Sequence, residues 1–572
     1  MKLAHALGIV RRGETGTGEA SGVWLACGCE PLHLRTFLAA ELMERLAPAR
    51  VEVHTGLFDD LAGTIERAGD AGDDPVAIVV EWSDLDPRLG LRRLGGWRAD
   101  QLDDIVAQAR RGLERLERAV LAAAPGRRVV CVMPTLPLPP LFPPPPGQSG
   151  PHELALRALA AGVAARLSTE PGVSIVHHQR LDDLSPPAGR RDVKAELAAG
   201  FPYSLEHASA VAALLAELLC PPVPRKGLIT DLDDTLWAGL LDEAGPGDVS
   251  WSGADHRHAL YQQLLASLAG AGVLVGVASR NDPGLVAEAL ARPDLLVGRE
   301  VLYPVEVTWG AKSRAIRRIL ETWNIAADTA VFIDDSPLER DEARERLPGL
   351  LTLTLPDDDD GIWPFLEGLR ALFGKRELSA EDGLRLQSIR AAQALHSALA
   401  DEDGAADFLA EVDGTVEFHH GTAHASRALE LIGKASQFNL NGQRLTEADL
   451  AQATRRGGEL VTVSYGDRYG PLGLIAALLV TPGADGPAID AWVMSCRAFA
   501  RRVEHHTLHH VFERFAADEV GIAFQPTARN VAVREFLASL HGGEPRGQLR
   551  VTRESFEQSA PPLVHRVVAA KT

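Results

Sequence analysis

Asp231 and Asp233 stand at alternate positions directly after the apolar run Gly227–Thr230, and Thr235 follows them. A strand that ends in a carboxylate pair sets both groups at the carboxyl edge of a parallel sheet, where open α/β folds hold their ligands. There Asp231 can attack phosphorus, and Asp233 can pass a proton to the leaving group. A second apolar run, Val273–Ala278, closes in Ser279, Arg280 and Asn281, whose hydroxyl and amide suit a phosphoryl oxygen. Lys312 follows Trp309-Gly310 at the start of an expected helix, where an ammonium neutralises phosphate charge. A third run, Ala330–Ile333, ends in Asp334-Asp335. Mg²⁺ prefers a few carboxylates plus phosphate, and the expected ligands are Asp231, Asp233 and Asp334, with Thr235, Ser279, Arg280, Asn281 and Lys312 on the phosphate.

A second set of residues suits acyl chemistry. Cys496 follows the expected strand Ile489–Met494, with Arg497, Arg501, Arg502, His505 and His506 close behind. Nearby cations bring a thiol down from about 8.5 toward neutrality, which favours a thiolate that accepts an acyl group. A buried cysteine at a strand end is the alternative. Lys434, Gln437 and Asn439 form a polar segment that can position a substrate or simply make a turn. His505, His506, His509 and His510 recur at helical spacing. They allow a metal site, although solvent-facing or hydrogen-bonded histidines are the commoner arrangement.

The order acid pair, hydroxyl, lysine, acid pair resembles motifs I to IV of the haloacid dehalogenase superfamily. The wider wording is similar to the FkbH-like family: Ile229-Thr-Asp-Leu-Asp-Asp-Thr-Leu-Trp-Ala-Gly239, Ala278-Ser-Arg-Asn-Asp282, Thr308-Trp-Gly-Ala-Lys312 and Phe332-Ile-Asp-Asp-Ser-Pro-Leu-Glu-Arg340. Ser495-Cys-Arg497 and Arg501…Val503-Glu504 match that family's thiol segment. The resemblance runs from about Asp192 to about Leu540. Arg280 departs from the family's usual Lys, and Ala500 from its usual Gly. The resemblance implies a Mg²⁺-dependent phosphatase and glyceryl transferase. It would take a glyceryl unit from 1,3-bisphosphoglycerate onto Cys496, remove the 3-phosphate through Asp231, and load the phosphopantetheine thiol of an acyl carrier protein in polyketide-type biosynthesis. Two alternatives stand beside it: a phosphatase of a small phosphometabolite, and a catalytically silent docking scaffold.

These residues need a scaffold of several domains, and the 572 residues are enough for three or four. Hydrophobic residues make up 46%, enough for sizeable cores. A net charge of −20 argues against general nucleic-acid binding, which depends on phosphate neutralisation. Five cysteines without a regular framework suit a reducing cytoplasm. No run approaches the apolar length that spans a bilayer, and the N-terminus lacks the pattern of a secretory signal.

The expected class is a multidomain α/β protein. Residues 1–20 read as a flexible N-terminus. Residues 21–220 alternate strands (Gly22–Ala26, Val51–His54, Val76–Glu81, Arg128–Met133, Val173–His177) with helices such as Leu32–Leu46 and Leu205–Leu219. That alternation describes a parallel α/β domain of SGNH or flavodoxin type. Cys27 or Cys29 is the candidate to replace its missing nucleophile, and Glu206-His207 its acid–histidine pair, but a non-catalytic domain is the favoured reading. Trp82, Asp84 and Asp86 sit at a strand's carboxyl edge and are candidates for a cleft lining. Residues 221–375 read as the haloacid dehalogenase-like Rossmannoid domain, with Asp357–Asp360 as a solvated loop. Residues 376–545 read as an α+β domain resembling the acetyltransferase-like (GNAT) half of the family, although Ala498–Arg502 lacks glycine and does not support acetyl-CoA use. Residues 546–572 read as a tail.

Overall fold

The computed structural model describes residues 1–14, 20–47, 50–145, 147–375, 413–435, 437–468, 470–483, 486–495, 498–499, 501–527, 530–541 and 543–568, with 382–383, 385–387, 389–390 and 393. The chain divides into two compact units, Met1–Val223 and Pro224–Thr572.

The first unit is built on five short, fully parallel strands: β1 (Ala20–Cys27), β2 (Arg50–Thr55), β3 (Val76–Val79), β4 (Val129–Val132) and β5 (Val173–Ile175). Their order is β2-β1-β3-β4-β5, a doubly wound arrangement whose switch point lies between β1 and β3. β3 and β4 are buried at every position because helices cover both faces, so their sequences are continuous apolar runs. The first residues are not loose. Leu3–Glu14 is a helix that seats Ala6 and Ile9 in the core beside helix Leu32–Leu46, and the Met1 amino group donates to Ser209 Oγ at 2.6 Å.

The second unit holds two sheets. The first has β6 (Gly227–Thr230), β7 (Leu274–Ser279), β8 (Leu302–Val307), β9 (Ala330–Ile333) and β10 (Leu351–Leu353), all parallel, in the order β10-β9-β6-β7-β8. Its switch point falls between β6 and β9. Gly227 and Gly276 on the two central strands leave room for one indole: a Cβ would stand 2.6 Å and 2.8 Å from the Trp323 ring. Trp323 ends helix Lys312–Trp323, so this close approach seats the helix that begins at Lys312. The run Asp357–Asp360 is not a loop throughout. Asp358 caps a helix at Gly361 N, and Asp359 and Asp360 lie in its first turn, where the helix dipole favours acids.

The other sheet is largely antiparallel. It comprises β11 (Thr415–His420), β12 (Phe438–Asn439), β13 (Glu459–Asp467), β14 (Gly470–Gly483), β15 (Gly486–Met494), β16 (Glu519–Phe524), β17 (Gly547–Thr552) and β18 (Arg566–Val568). The order is β17-β16-β15-β14-β13-β11-β18. β15 pairs in parallel with β16 only at Ala488 and Ile489, and its far end pairs with β12. Residues 546–572 are therefore not a mere tail: they supply β17, helix Arg553–Ser559 and β18. The expected helix Glu381–Leu399 lies mostly outside the described residues. Among the described residues, no helix is long and apolar enough to cross a membrane.

Candidate active site

Strand register builds the site. Thr230 pairs with Ile333, so the residues that follow, Asp231 and Asp334, emerge side by side at the switch point. The Asp231 amide donates to Ile333 O at 2.9 Å, which holds the two strand ends together. Two adjacent buried carboxylates repel each other, and Lys312 resolves the conflict. Its Nζ lies 2.8 Å from Asp231 Oδ2 and 2.6 Å from Asp334 Oδ2. Burial opposes the lysine's charge, but the two carboxylates outweigh it and hold its pKa above the usual value. Burial likewise raises the Asp231 carboxyl, against the pull of Lys312.

Asp231 Oδ1 is buried and has no hydrogen-bond partner, although the other carboxyl oxygen is paired. Among the described residues, Asp231, Asp334 and Asp335 form the one group of three ligating side chains, with one oxygen from each lying within 4.8 Å of the others. An orphaned carboxylate oxygen in an all-oxygen cluster fits a hard cation. Asp233 was expected in that set, but its carboxyl group turns elsewhere. Oδ1 accepts from Trp237 Nε1 at 3.1 Å and Leu241 N at 3.2 Å, and Oδ2 accepts from Asn281 Nδ2 at 3.1 Å. Burial raises its pKa and these three donors partly offset the rise. The turn that follows the two acids is sharp. Asp234 takes φ 48°, and its Oδ1 accepts from Gly239 N at 2.8 Å.

The remaining expected phosphate ligands take different places. Ser279 is buried at the end of β7, and its Oγ accepts from Asn281 Nδ2 at 3.1 Å, which leaves the hydroxyl proton to donate. Thr235 does not face a ligand: it is buried, and its Oγ1 accepts from Asp335 N at 3.1 Å. It fastens the Asp334-Asp335 loop to the Asp231 loop. Arg280 also departs from expectation. Its Nε donates to Gly310 O at 3.0 Å and its Nη1 lies 2.8 Å from Glu339 Oε1, so it straps two loops together. A lysine has one nitrogen and cannot span both partners with a planar fork.

No family model and no curated protein matches the chain. Among solved structures, the N-terminal part of the protein BF1531 from Bacteroides fragilis, which contains a phosphatase domain complexed with Mg, is 18% identical; the match covers 65% of this chain and 99% of that one with a TM-score of 0.51. The two share a fold. At that identity the likeness is one of fold alone. An uncharacterized protein from Corynebacterium glutamicum is 23% identical over 26% of this chain and 98% of its own, but its TM-score of 0.20 carries no argument.

The acyl residues are spread differently. Cys496 and Arg497 lie outside the described residues. Gln437 precedes Phe438, which pairs with Met494, so Gln437 falls in register with Ser495. Its Oε1 is buried without a hydrogen-bond partner. Asn439 is committed to its own turn: Oδ1 accepts from Gly442 N at 2.9 Å and Nδ2 donates to Ala435 O at 3.2 Å. Arg501 is buried against Asp467 at 3.0 Å. Two histidines of helix Val503–Arg514 pair with histidines outside it: His506 Nδ1 lies 3.3 Å from His565 Nδ1, and His510 Nε2 lies 3.3 Å from His420 Nε2. Among the described residues, none of them joins a group of three metal-ligating side chains.

In the first unit, the strand-edge residues hold the structure together. Glu81 accepts from Thr135 Oγ1 at 2.5 Å, Leu136 N at 3.1 Å and Tyr203 OH at 3.1 Å. Thr135 Oγ1, having given its proton to Glu81, accepts from His207 Nε2 at 2.9 Å, and Ser185 Oγ donates to His207 Nδ1 at 2.9 Å. His207 is thus sealed in a closed network, while Glu206 is exposed. Cys29 is held well above the usual thiol range by its hydrogen bond with Cys27, by burial, and by Asp84 and Glu81. A thiol kept protonated is a poor nucleophile. Trp82, Asp84 and Asp86 are committed to structural contacts: the Trp82 indole donates across to Leu136 O, Asp84 accepts from Glu81 N, and Asp86 pairs with Arg88.

Proposed function

We propose that the chain is a phosphatase and glyceryl transferase whose phosphatase centre is Asp231, Asp233, Lys312 and Asp334. One observation supports the phosphatase centre above the rest: the unpartnered, buried Asp231 Oδ1 beside Asp334 and Lys312. In the first step Asp231 attacks phosphorus, the bond from phosphorus to the ester oxygen breaks, and Asp233 gives that oxygen its proton. In the second, Asp233 takes a proton from water, the water oxygen attacks phosphorus, and the Asp231 carboxylate leaves. Asn281 orients Asp233 for both transfers, and Ser279 donates to a phosphoryl oxygen. Mg²⁺, as in the Bacteroides fragilis phosphatase domain, would be held by Asp231, Asp334 and Asp335 and would neutralise phosphoryl charge.

The transferase half rests on the resemblance at Ser495-Cys496-Arg497. The Cys496 thiolate would attack the acyl carbon of 1,3-bisphosphoglycerate, and the carbon–oxygen bond to the 1-phosphate breaks. After removal of the 3-phosphate, a carrier-protein thiol attacks the thioester and Cys496 leaves as thiolate. The GNAT-like character of residues 376–545 belongs to this half, and the early parting of β15 from β16 supports it.

Intact-mass spectrometry of a phosphopantetheinylated carrier protein, incubated with the full chain, Mg²⁺ and 1,3-bisphosphoglycerate, tests the reading. A glyceryl adduct that Cys496→Ala abolishes supports it. Phosphate release without any adduct reduces the protein to a phosphatase of small esters.

A further inference from the structure

Two histidines meet where helix Val503–Arg514 lies against β11. His420 ends β11 and is exposed, and His510 sits on the helix with its ring stacked on Phe418, 3.7 Å between centroids and 3° between planes. Side chains alternate along a strand, so Phe418 and His420 share one face of β11. His420 Nε2 stands 3.3 Å from His510 Nε2, and the two ring centroids are 5.3 Å apart. The other nitrogen of His420, Nδ1, lies 2.8 Å from Glu459 Oε1 at the start of β13. A carboxylate only accepts, so Nδ1 carries the proton, and the neutral ring turns its lone pair at Nε2 toward His510. Arg514 Nη2 lies 3.1 Å and 3.3 Å from the two oxygens of Glu459 and holds that carboxylate in place.

The spacing fits a shared metal ion better than a direct bond. Two imidazole nitrogens on one tetrahedral Zn²⁺, each about 2.0–2.1 Å from it, stand about 3.3–3.4 Å apart and bring their ring centroids to about 5.2–5.3 Å. A linear hydrogen bond with the same nitrogen separation would hold the centroids at about 5.6 Å. Burial, with His420 and Arg514 nearby, pushes the His510 pKa down to about 4, so this ring too is neutral near pH 7. Its Nδ1–H tautomer turns a second lone pair toward His420. A carboxylate on the far nitrogen of a ligating histidine, as Glu459 is here, is the usual orienting partner. We propose that His420 and His510 form an open two-histidine site for a borderline divalent ion, Zn²⁺ by its geometry, with Glu459 as the positioning residue. Water or an incoming donor fills the remaining positions. The ion clips β11 to helix Val503–Arg514, joining residues 90 positions apart in the chain. Imidazole suits Zn²⁺ and oxygen suits Mg²⁺, so this site and the Asp231 cluster take different cations. The proposal stands independently of the phosphatase reading.

The test titrates Zn²⁺ into the full chain by calorimetry in saturating Mg²⁺, which fills the acidic cluster. His420→Gln changes an exposed side chain, and His510→Phe keeps an aromatic ring on Phe418; each should remove one equivalent of bound Zn²⁺. Glu459→Gln should weaken the same equivalent about tenfold. Hydrogen exchange of residues 415–420 and 503–514 should slow when Zn²⁺ is added to wild type, and should not respond in His420→Gln. Zn²⁺ binding that is the same in wild type and both histidine variants, or absent from all three, overturns the proposal. So does binding that leaves exchange in both segments unchanged.

Discussion

Asn281 bridges two strand ends: its Nδ2 donates at 3.1 Å both to Asp233 Oδ2 and to Ser279 Oγ. One amide thus fixes the Asp233 carboxyl, the proton donor of the proposed mechanism, and turns a hydroxyl proton outward. Asn281→Ala should lower kcat for phosphate ester hydrolysis about tenfold to a hundredfold with little change in KM, the signature of lost positioning in the transition state. Steady-state kinetics on a simple ester reads this directly. An unchanged kcat would remove Asn281 from the mechanism.

On the proposed reading Lys312 carries both stability and chemistry. Its ammonium separates the Asp231 and Asp334 carboxylates at 2.8 Å and 2.6 Å. Lys312→Met should cost about 3 kcal/mol of stability, because two buried carboxylates lose their counter-charge. Hydrolysis should fall by roughly a hundredfold or more. Denaturant unfolding and kinetics separate the two effects.

Gly276 tests the placement of that lysine from a distance. A Cβ there would stand 2.8 Å from the Trp323 ring, so the buried indole would have to shift. Gly276→Val should destabilise the second unit by about 2 kcal/mol and lower kcat, because Trp323 and Lys312 end and begin the same helix. Hydrogen exchange across residues 312–323 should show the loosened helix.

His207 makes the first unit acid-sensitive. Burial, with Arg190 nearby, pushes its pKa down from 6.5 to about 3. Between those values the unfolded chain binds a proton that the folded unit refuses, so stability falls as pH falls. The loss should approach about 1.4 kcal/mol per pH unit below pH 6. Hydrogen exchange of β4 peptides in the full chain should show this slope, and His207→Gln, with nothing to protonate, should flatten it.

Much of the scaffold was legible because both parallel sheets are covered on two faces. Runs such as Val76–Val79 and Ala330–Ile333 are apolar at every position, and the second ends directly at Asp334-Asp335. β8 escaped notice because Pro304 and Glu306 interrupt it, which an edge strand tolerates. Helix Leu3–Glu14 and β17 each bury only two hydrophobic core residues, too few to mark a pattern. At the site, residue types were readable but partners were not. Spacing alone cannot reveal that Thr235 serves the Asp335 amide, or that Arg280 serves a carbonyl and Glu339. Those contacts depend on loops brought together by the register of separate strands.

The central claim is that Asp231 takes the phosphoryl group. Rapid-quench labelling with a ³²P-phosphate ester in the presence of Mg²⁺, followed by peptide mapping, measures it. The account requires a hydroxylamine-labile label on Asp231 that Asp231→Asn eliminates. Turnover with no covalent label, or a label on another aspartate such as Asp335, would contradict it.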